Sequence, residues 1–317
     1  MSQQFYIVVN QVLVFAILML IGFVMARAGV LGSDVLNGLS RLIIKLLLPC
    51  LIFHLIIGNG ITISYILANR NFALALLLMY TLLCLLGYAM GGASGLRRSG
   101  QDVFAVATMF CNIGFMGLPL IDSMFPGNSQ VAVCLLIYMT LDQILLWSVG
   151  VFLCTRNAKR KGGSMLRNLL NPSLVGIAIA LVLQYFGITL PDPVVTTIKG
   201  LGDCSRYLAL LYLGALLATM PVLSMLMKPH VYVLIVLKMT IVPVIAYFVA
   251  GLFFDHTVSL LLATILSLPP MVAITMMART YGGDERVAAE TVFVSTIACL
   301  GTIPLVQFLI DLLSRIL

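Results

Sequence analysis

The sequence predicts an all-α integral membrane protein of ten transmembrane helices, arranged as two inverted five-helix repeats, and three observations carry the prediction. The 317 residues are 62% hydrophobic and 9% charged, with a mean hydropathy of +1.14, whereas soluble domains carry roughly 25% charged residues. The apolar residues fall into ten runs near the length of about 20 that a bilayer core requires. The basic residues gather in alternate loops, as positive-inside topology demands. A soluble chain of this size could not keep so much apolar surface from water.

The runs lie near 5–26, 36–57, 65–90, 102–124, 130–154, 172–188, 194–219, 231–253, 258–280 and 287–313. Met1 to Tyr6 hold no Lys or Arg, and no small-residue cleavage site follows the first run, so it reads as a retained span and not a signal peptide. Loops after the odd-numbered runs hold Arg27, then Arg97 and Arg98, then Arg156, Lys159, Arg160, Lys161 and Arg167, then Lys228, then Arg279 and Arg286. The opposite side has little beyond Arg70, Lys199 and Arg315. Both termini are therefore expected outside the cytoplasm, in an inner or plasma membrane. The net charge of +7 is spent on this topology, and no basic stripe with interleaved aromatics points to nucleic acid. No stretch could fold as a soluble domain, so residues 1–317 read as one membrane domain with membrane lipid as its solvent.

Ten spans with both ends on one side divide into halves of five, about 1–155 and 171–317, joined by a short basic cytoplasmic loop, 156–170. An odd number of spans per half inverts the second half across the membrane. The peptide Phe125 to Ala132 (FPGNSQVA) resembles Tyr281 to Ala288 (YGGDERVA), each following a broken run and opening the next. Inverted repeats are the usual build of secondary transporters.

The two breaks carry the functional expectation. Run four holds Asn112, Gly114, Gly117 and Pro119; run nine holds Pro269 and Pro270. Proline removes a backbone donor and clashes with the preceding turn, and glycine lowers the cost of unwinding. Freed backbone groups in hydrocarbon must be satisfied by protein or by a water-filled cavity. Paired breaks in two halves therefore point to a midplane binding site, where half-helix N-termini offer partial positive charge to an anion. Asn112 adds two uncharged donors suited to a carboxylate. Pro49 and Pro243 read as tolerated kinks.

The run Asn112-Ile113-Gly114-Phe115-Met116-Gly117-Leu118-Pro119 resembles the Asn-x-x-x-Met-Gly-x-Pro signature of the auxin efflux carrier family, which includes bacterial malate-permease-like members. Asn171-Pro172 and the stretch from Leu268-Pro269 through Tyr281-Gly282, Ser295-Thr296 and Ile303-Pro304 are similar to that family too. Lys45, four residues before Pro49, and Gln143, four before Trp147, resemble a lysine and a glutamine of plant members. The resemblance implies that the broken helices cross, that an anionic substrate is held beside the asparagine, and that a helix bundle moves like an elevator. Plant members carry an acid in the third span and a long hydrophilic central loop. Here no acid lies between Tyr65 and Met90 and the loop is short, which points to a small carboxylate in place of auxin.

Ionisable residues at membrane depth are costly and each needs a reason. Asp142 is expected either to pair with a buried lysine or to take up a proton and couple transport; proton and sodium are the candidate coupling ions. Lys45 is expected to attract the anion or to snorkel, Lys238 to snorkel, and His54, Asp122 and Asp311 to be solvated near span ends. Rival classes fare worse. Gly200-Leu201-Gly202-Asp203 matches the GxGD pattern of intramembrane aspartyl proteases, but the preceding run holds no acid. His54, His230 and His256 lack metal-site spacing, and the seven cysteines form no CxxC pair, so no metal, cofactor or enzyme activity is expected. A sodium-coupled carrier of the bile-acid symporter type, a ligand-binding membrane sensor and a homodimeric assembly stay open.

Overall fold

The computed structural model describes residues 3–58, 63–157, 172–219 and 225–316, and every regular element among them is helical. In chain order these are α1 (Gln3–Arg27), α2 (Ser33–Gly58) and, after a short helix at Ile63–Ala68, α3 (Arg70–Ala93). Then come α4 (Arg98–Met109), α5 (Ile113–Met124) and α6 (Ser129–Arg156). The remainder are α7 (Pro172–Tyr185), α8 (Asp192–Thr219), α9 (Pro229–Ala250), α10 (His256–Ser267), α11 (Ala273–Tyr281) and α12 (Glu285–Ile316). Among the described residues 7 helices, α1, α2, α3, α6, α8, α9 and α12, are long and apolar enough to cross a membrane. Shorter apolar helices are Ile113–Met124, Leu174–Tyr185 and His256–Ser267. The chain is a multi-span, all-α membrane protein. Asn171 and most of the central basic loop, with Lys159, Arg160, Lys161 and Arg167, lie outside the described residues.

Three of the expected proline features share one local geometry. Ile43–Leu47 before Pro49, Ile113–Gly117 before Pro119 and Leu234–Ile241 before Pro243 are all wound as π-helix. A proline gives no N–H to the preceding turn and its ring pushes on the carbonyl four residues back, so that turn widens. A fourth π stretch, Leu146–Gly150, has no such proline. The break in run four also lies earlier than its glycines imply. Regular helix stops at Met109 and resumes at Ile113, which leaves Gly114, Gly117 and Pro119 inside the first turns of α5.

Glycines set the close helix contacts. A Cβ on Gly22 of α1 would fall 2.0 Å from the Leu211 carbonyl oxygen, and one on Gly214 of α8 would fall 1.8 Å from that of Met19. Gly202 brings α8 against Leu51 of α2, and Gly87 brings α3 against Ala105 of α4. Small residues that let backbones meet are the usual device of membrane helix packing. By these contacts α1, α2, α7 and α8 form one group, while α3 to α6 pack with α9 to α12 in a second.

Polar clamps hold the second group together. Asp102 of α4, almost fully buried, accepts from Tyr88 Oη at 2.7 Å and Arg156 Nε at 3.0 Å, which ties α3, α4 and α6. Buried Glu290 of α12 accepts from Arg286 Nε at 2.8 Å and lies 3.5 Å from His230 of α9. The repeated peptide is a helix cap in both places. Asn128 Oδ1 accepts from Val131 N at 3.1 Å, and Asp284 Oδ1 from Val287 N at 3.1 Å. The left-handed glycine shifts by one position between the copies, to Gly127 (φ 68°) and Gly282 (φ 79°).

Candidate binding site at the helix breaks

The two breaks meet. Asn112 N donates to the Pro269 carbonyl at 2.8 Å and Met271 N to the Phe110 carbonyl at 2.9 Å, a single antiparallel bridge between Cys111 and Pro270. Each break thus satisfies backbone groups that unwinding freed in the other, as an apolar surround requires. The bridge leaves an imbalance, because Pro269 and Pro270 contribute carbonyls and no N–H. Leu268 O is taken by Lys238 Nζ at 2.5 Å, and the same ammonium lies 3.3 Å from Cys111 Sγ. Lys238 is 0% exposed, so the expectation that it snorkels is wrong. Its depth follows from where α10 ends and from the π stretch that carries it, neither of which hydropathy reveals.

Asn112 is 1% exposed and its Nδ2 is buried with no hydrogen-bond partner. It faces a small cavity at the seam between the two helix groups, bounded by Ser40 and Ile43 of α2, Tyr212 of α8, Gln143 and Trp147 of α6, and Val272 beside α11. About 50 Å³ of it is open to the centres of water-sized molecules. A single water needs about 10–15 Å³ of such space, so the cavity admits a few waters or a very small ligand. A recess of about 430 Å³ between α3 and α9 is larger, but its walls, among them exposed Leu78, Leu82, Ile245 and Phe253, are apolar. Those residues are dressed for acyl chains. The polar chemistry is in the smaller space.

The sequence-derived residues distribute unevenly around this cavity. Asn112, Gly114 and Gln143 line it. Gly114 fits because a Cβ there would come 3.1 Å from Leu48 Cδ1. Gly117 instead serves packing, since its Cβ would fall 2.5 Å from Ile113 Cδ1 and 2.7 Å from Leu268 Cδ1. Pro119, Pro269 and Pro270 are buried and shape the backbone without lining the space. Gln143 is held by Trp147 Nε1, which donates to its Oε1 at 3.3 Å. Asp142 points the other way, fully buried, accepting from Tyr80 Oη at 2.7 Å and from Gln143 Nε2 at 3.5 Å. Among the described residues it has no lysine partner, so of its two expected roles the ion pair is not formed and a neutral donor set takes its place. Lys45 lies in the first π stretch with an exposed side chain and is not part of the cavity wall.

Sequence reasoning passed over Ser40, Tyr212 and the cavity role of Trp147. Ser40 and Tyr212 carry no local signal, because only tertiary packing of α2 on α8 brings them to the breaks. Gly202 could have been read as a packing residue from its place on an apolar helix, and it accounts for part of the GxGD pattern.

Helix breaks that satisfy each other inside a multi-span membrane bundle, beside a buried polar fork, are the build of a membrane transporter. The chain matches the family described as membrane transport protein over residues 7–307 and belongs to that family, the auxin-efflux-carrier-like transporters. That family is one of membrane transporters, not of enzymes. The chain is also 24% identical over 192 residues to an uncharacterized transporter of Methanothermobacter thermautotrophicus, a match spanning 58% of this chain and 59% of that protein.

Proposed function

We propose that the chain is a ten-span secondary carrier for a small organic anion, a carboxylate in the first instance, bound at the crossed breaks between inverted five-helix repeats. The carrying observation is the unpaired Asn112 Nδ2, fully buried at a cavity on the seam between two helix groups. A buried donor without a partner is costly, and a ligand acceptor removes that cost on binding. The N-termini of α5 and α11 add positive dipole ends on the same spot, and Gln143 adds an amide.

Packing supports the repeat. If α4 with α5 is the fourth span and α10 with α11 the ninth, neighbours in one half have counterparts in the other. Spans three and four pack as eight and nine do; four and five as nine and ten do; four and ten as nine and five do. On this reading the α3–α6 and α9–α12 group carries the anion past the α1, α2, α7 and α8 group, like an elevator, and both termini face away from the cytoplasm of an inner or plasma membrane. Asp142 is the proton-coupling candidate within the moving group.

The test is a thermal-shift screen of purified protein against small carboxylates, with and without sodium and at two pH values, repeated on Asn112→Ala. Ligand stabilisation follows from mass action. Losing a hydrogen bond to a charged ligand costs about 1.5–3 kcal/mol, so the variant should bind at least about tenfold more weakly while staying folded. A panel in which no carboxylate stabilises the wild type, or an Asn112→Ala protein that binds as the wild type does, overturns the assignment.

A further inference from the structure

Lys238 is fully buried, yet among the described residues no carboxylate lies within salt-bridge distance of it. Its hydrogen-bond partners among the described residues are the Leu268 carbonyl at 2.5 Å and Cys111 Sγ at 3.3 Å, one from each break. Both half-helices that end here, α4 and α10, present C-terminal carbonyls and the negative end of a dipole. Pro269 and Pro270 add acceptors without donors. The crossing therefore concentrates partial negative charge, and such half-helix C-termini and unwound carbonyls are what coordinates a coupling cation in other broken-helix carriers. The buried carboxylate of α6, Asp142, is engaged by Tyr80.

We propose that Lys238 is a tethered cation of the crossing. Its ammonium takes the Leu268 carbonyl that a free alkali ion would otherwise bind, and supplies the fixed positive charge beside which an anion settles at Asn112. The part concerning the anion rests on the binding site proposed above; the part concerning the cation does not. An ammonium held by the chain cannot leave with the substrate, so anion binding needs no sodium. A lysine that merely braced the fold would not make this difference.

Two arms test it. In the first, without any carboxylate and with chloride held constant, the melting temperature of the wild type and of Lys238→Ala is measured in sodium chloride, in choline chloride, and with propylammonium chloride added. The wild type should melt alike in sodium and choline, and Lys238→Ala should recover stability with propylammonium, which refills the vacated ammonium position. A saturable sodium stabilisation of the wild type overturns the proposal, and this readout stands even if Lys238→Ala does not fold. Absence of rescue in a folded Lys238→Ala overturns it as well. In the second arm, a carboxylate that stabilises the wild type is titrated against Lys238→Met in choline. Affinity should fall by about tenfold or more, as for loss of a charged partner, and unchanged affinity overturns the proposal. If no carboxylate binds the wild type, the anion site fails while the first arm still decides the role of Lys238.

Discussion

Neighbouring side chains on α6 divide the labour at residue scale. Gln143 faces the cavity and Asp142 faces α3, where Tyr80 Oη donates to it at 2.7 Å. Tyr80 in turn packs against Phe110 at the first break, ring centroids 5.6 Å apart. A protonation change at Asp142 would therefore be felt one ring away from the crossing. If proton uptake there accompanies the anion, uptake by the wild type rises as external pH falls. Asp142→Asn fixes the side chain in a neutral form and should flatten that dependence while Asn112-dependent binding persists. Vesicle uptake measured across external pH decides this. A variant that keeps the wild-type profile leaves Asp142 as a structural acceptor for Tyr80. The two lysines show how far such roles are legible in a sequence. Lys45 and Lys238 both precede a proline within an apolar run, and hydropathy ranks Lys45 as the deeper. Packing reverses the order, because side-chain direction around a π stretch depends on which neighbour ends where.

At the scale of elements, prolines and glycines were readable in kind but not in detail. Pro269 and Pro270 stop α10 where expected, at Ser267. In the other half the chain opens before Asn112, ahead of the residues that signalled the break, because pairing with Pro269 and Met271 across the crossing fixes where α4 must end. Elsewhere glycine marks contact. Gly202 has Leu51 Cα 2.8 Å from where its Cβ would be, whereas Gly200 has nothing within 4 Å. Gly202→Ala should thus lose about 1–3 kcal/mol through overpacking against backbone, and Gly200→Ala should leave the melting temperature unchanged or slightly raised, since alanine suits a helix better. Melting curves in detergent compare the two. Equal effects would show that α8 and α2 are not in the close register described. The same pair separates a packing role from a GxGD protease motif, which would need both glycines.

For the whole molecule, the decisive surface is the seam between the two helix groups, because an elevator requires that seam to slide while each group stays intact. The polar contacts are distributed in a way that permits this. Inside the α3–α6 and α9–α12 group, Gln307 Nε2 donates to Thr264 Oγ1 at 3.0 Å, Asp102 ties α3, α4 and α6, and Glu290 of α12 lies 3.5 Å from His230 of α9. Across the seam, α1 meets α5 through a neutral contact, Ser123 Oγ to Gln11 Oε1 at 3.1 Å. That neutral hydrogen bond contributes about 0.5–1.5 kcal/mol, little enough to break in each cycle. Two cysteine pairs exploit the difference. Gln11→Cys with Ser123→Cys, bridged by a short bifunctional thiol reagent, joins the groups and should arrest uptake, with recovery when the bridge is cleaved. Thr264→Cys with Gln307→Cys, bridged in the same way, joins α10 to α12 within one group and should leave uptake largely intact. The native cysteines give the background, measured on the unsubstituted chain with the same reagent. Uptake that survives the first bridge would mean that the groups do not slide at α1 and α5, and the anion would then have to pass by local gating at the breaks, with Asn112 held fixed in the membrane.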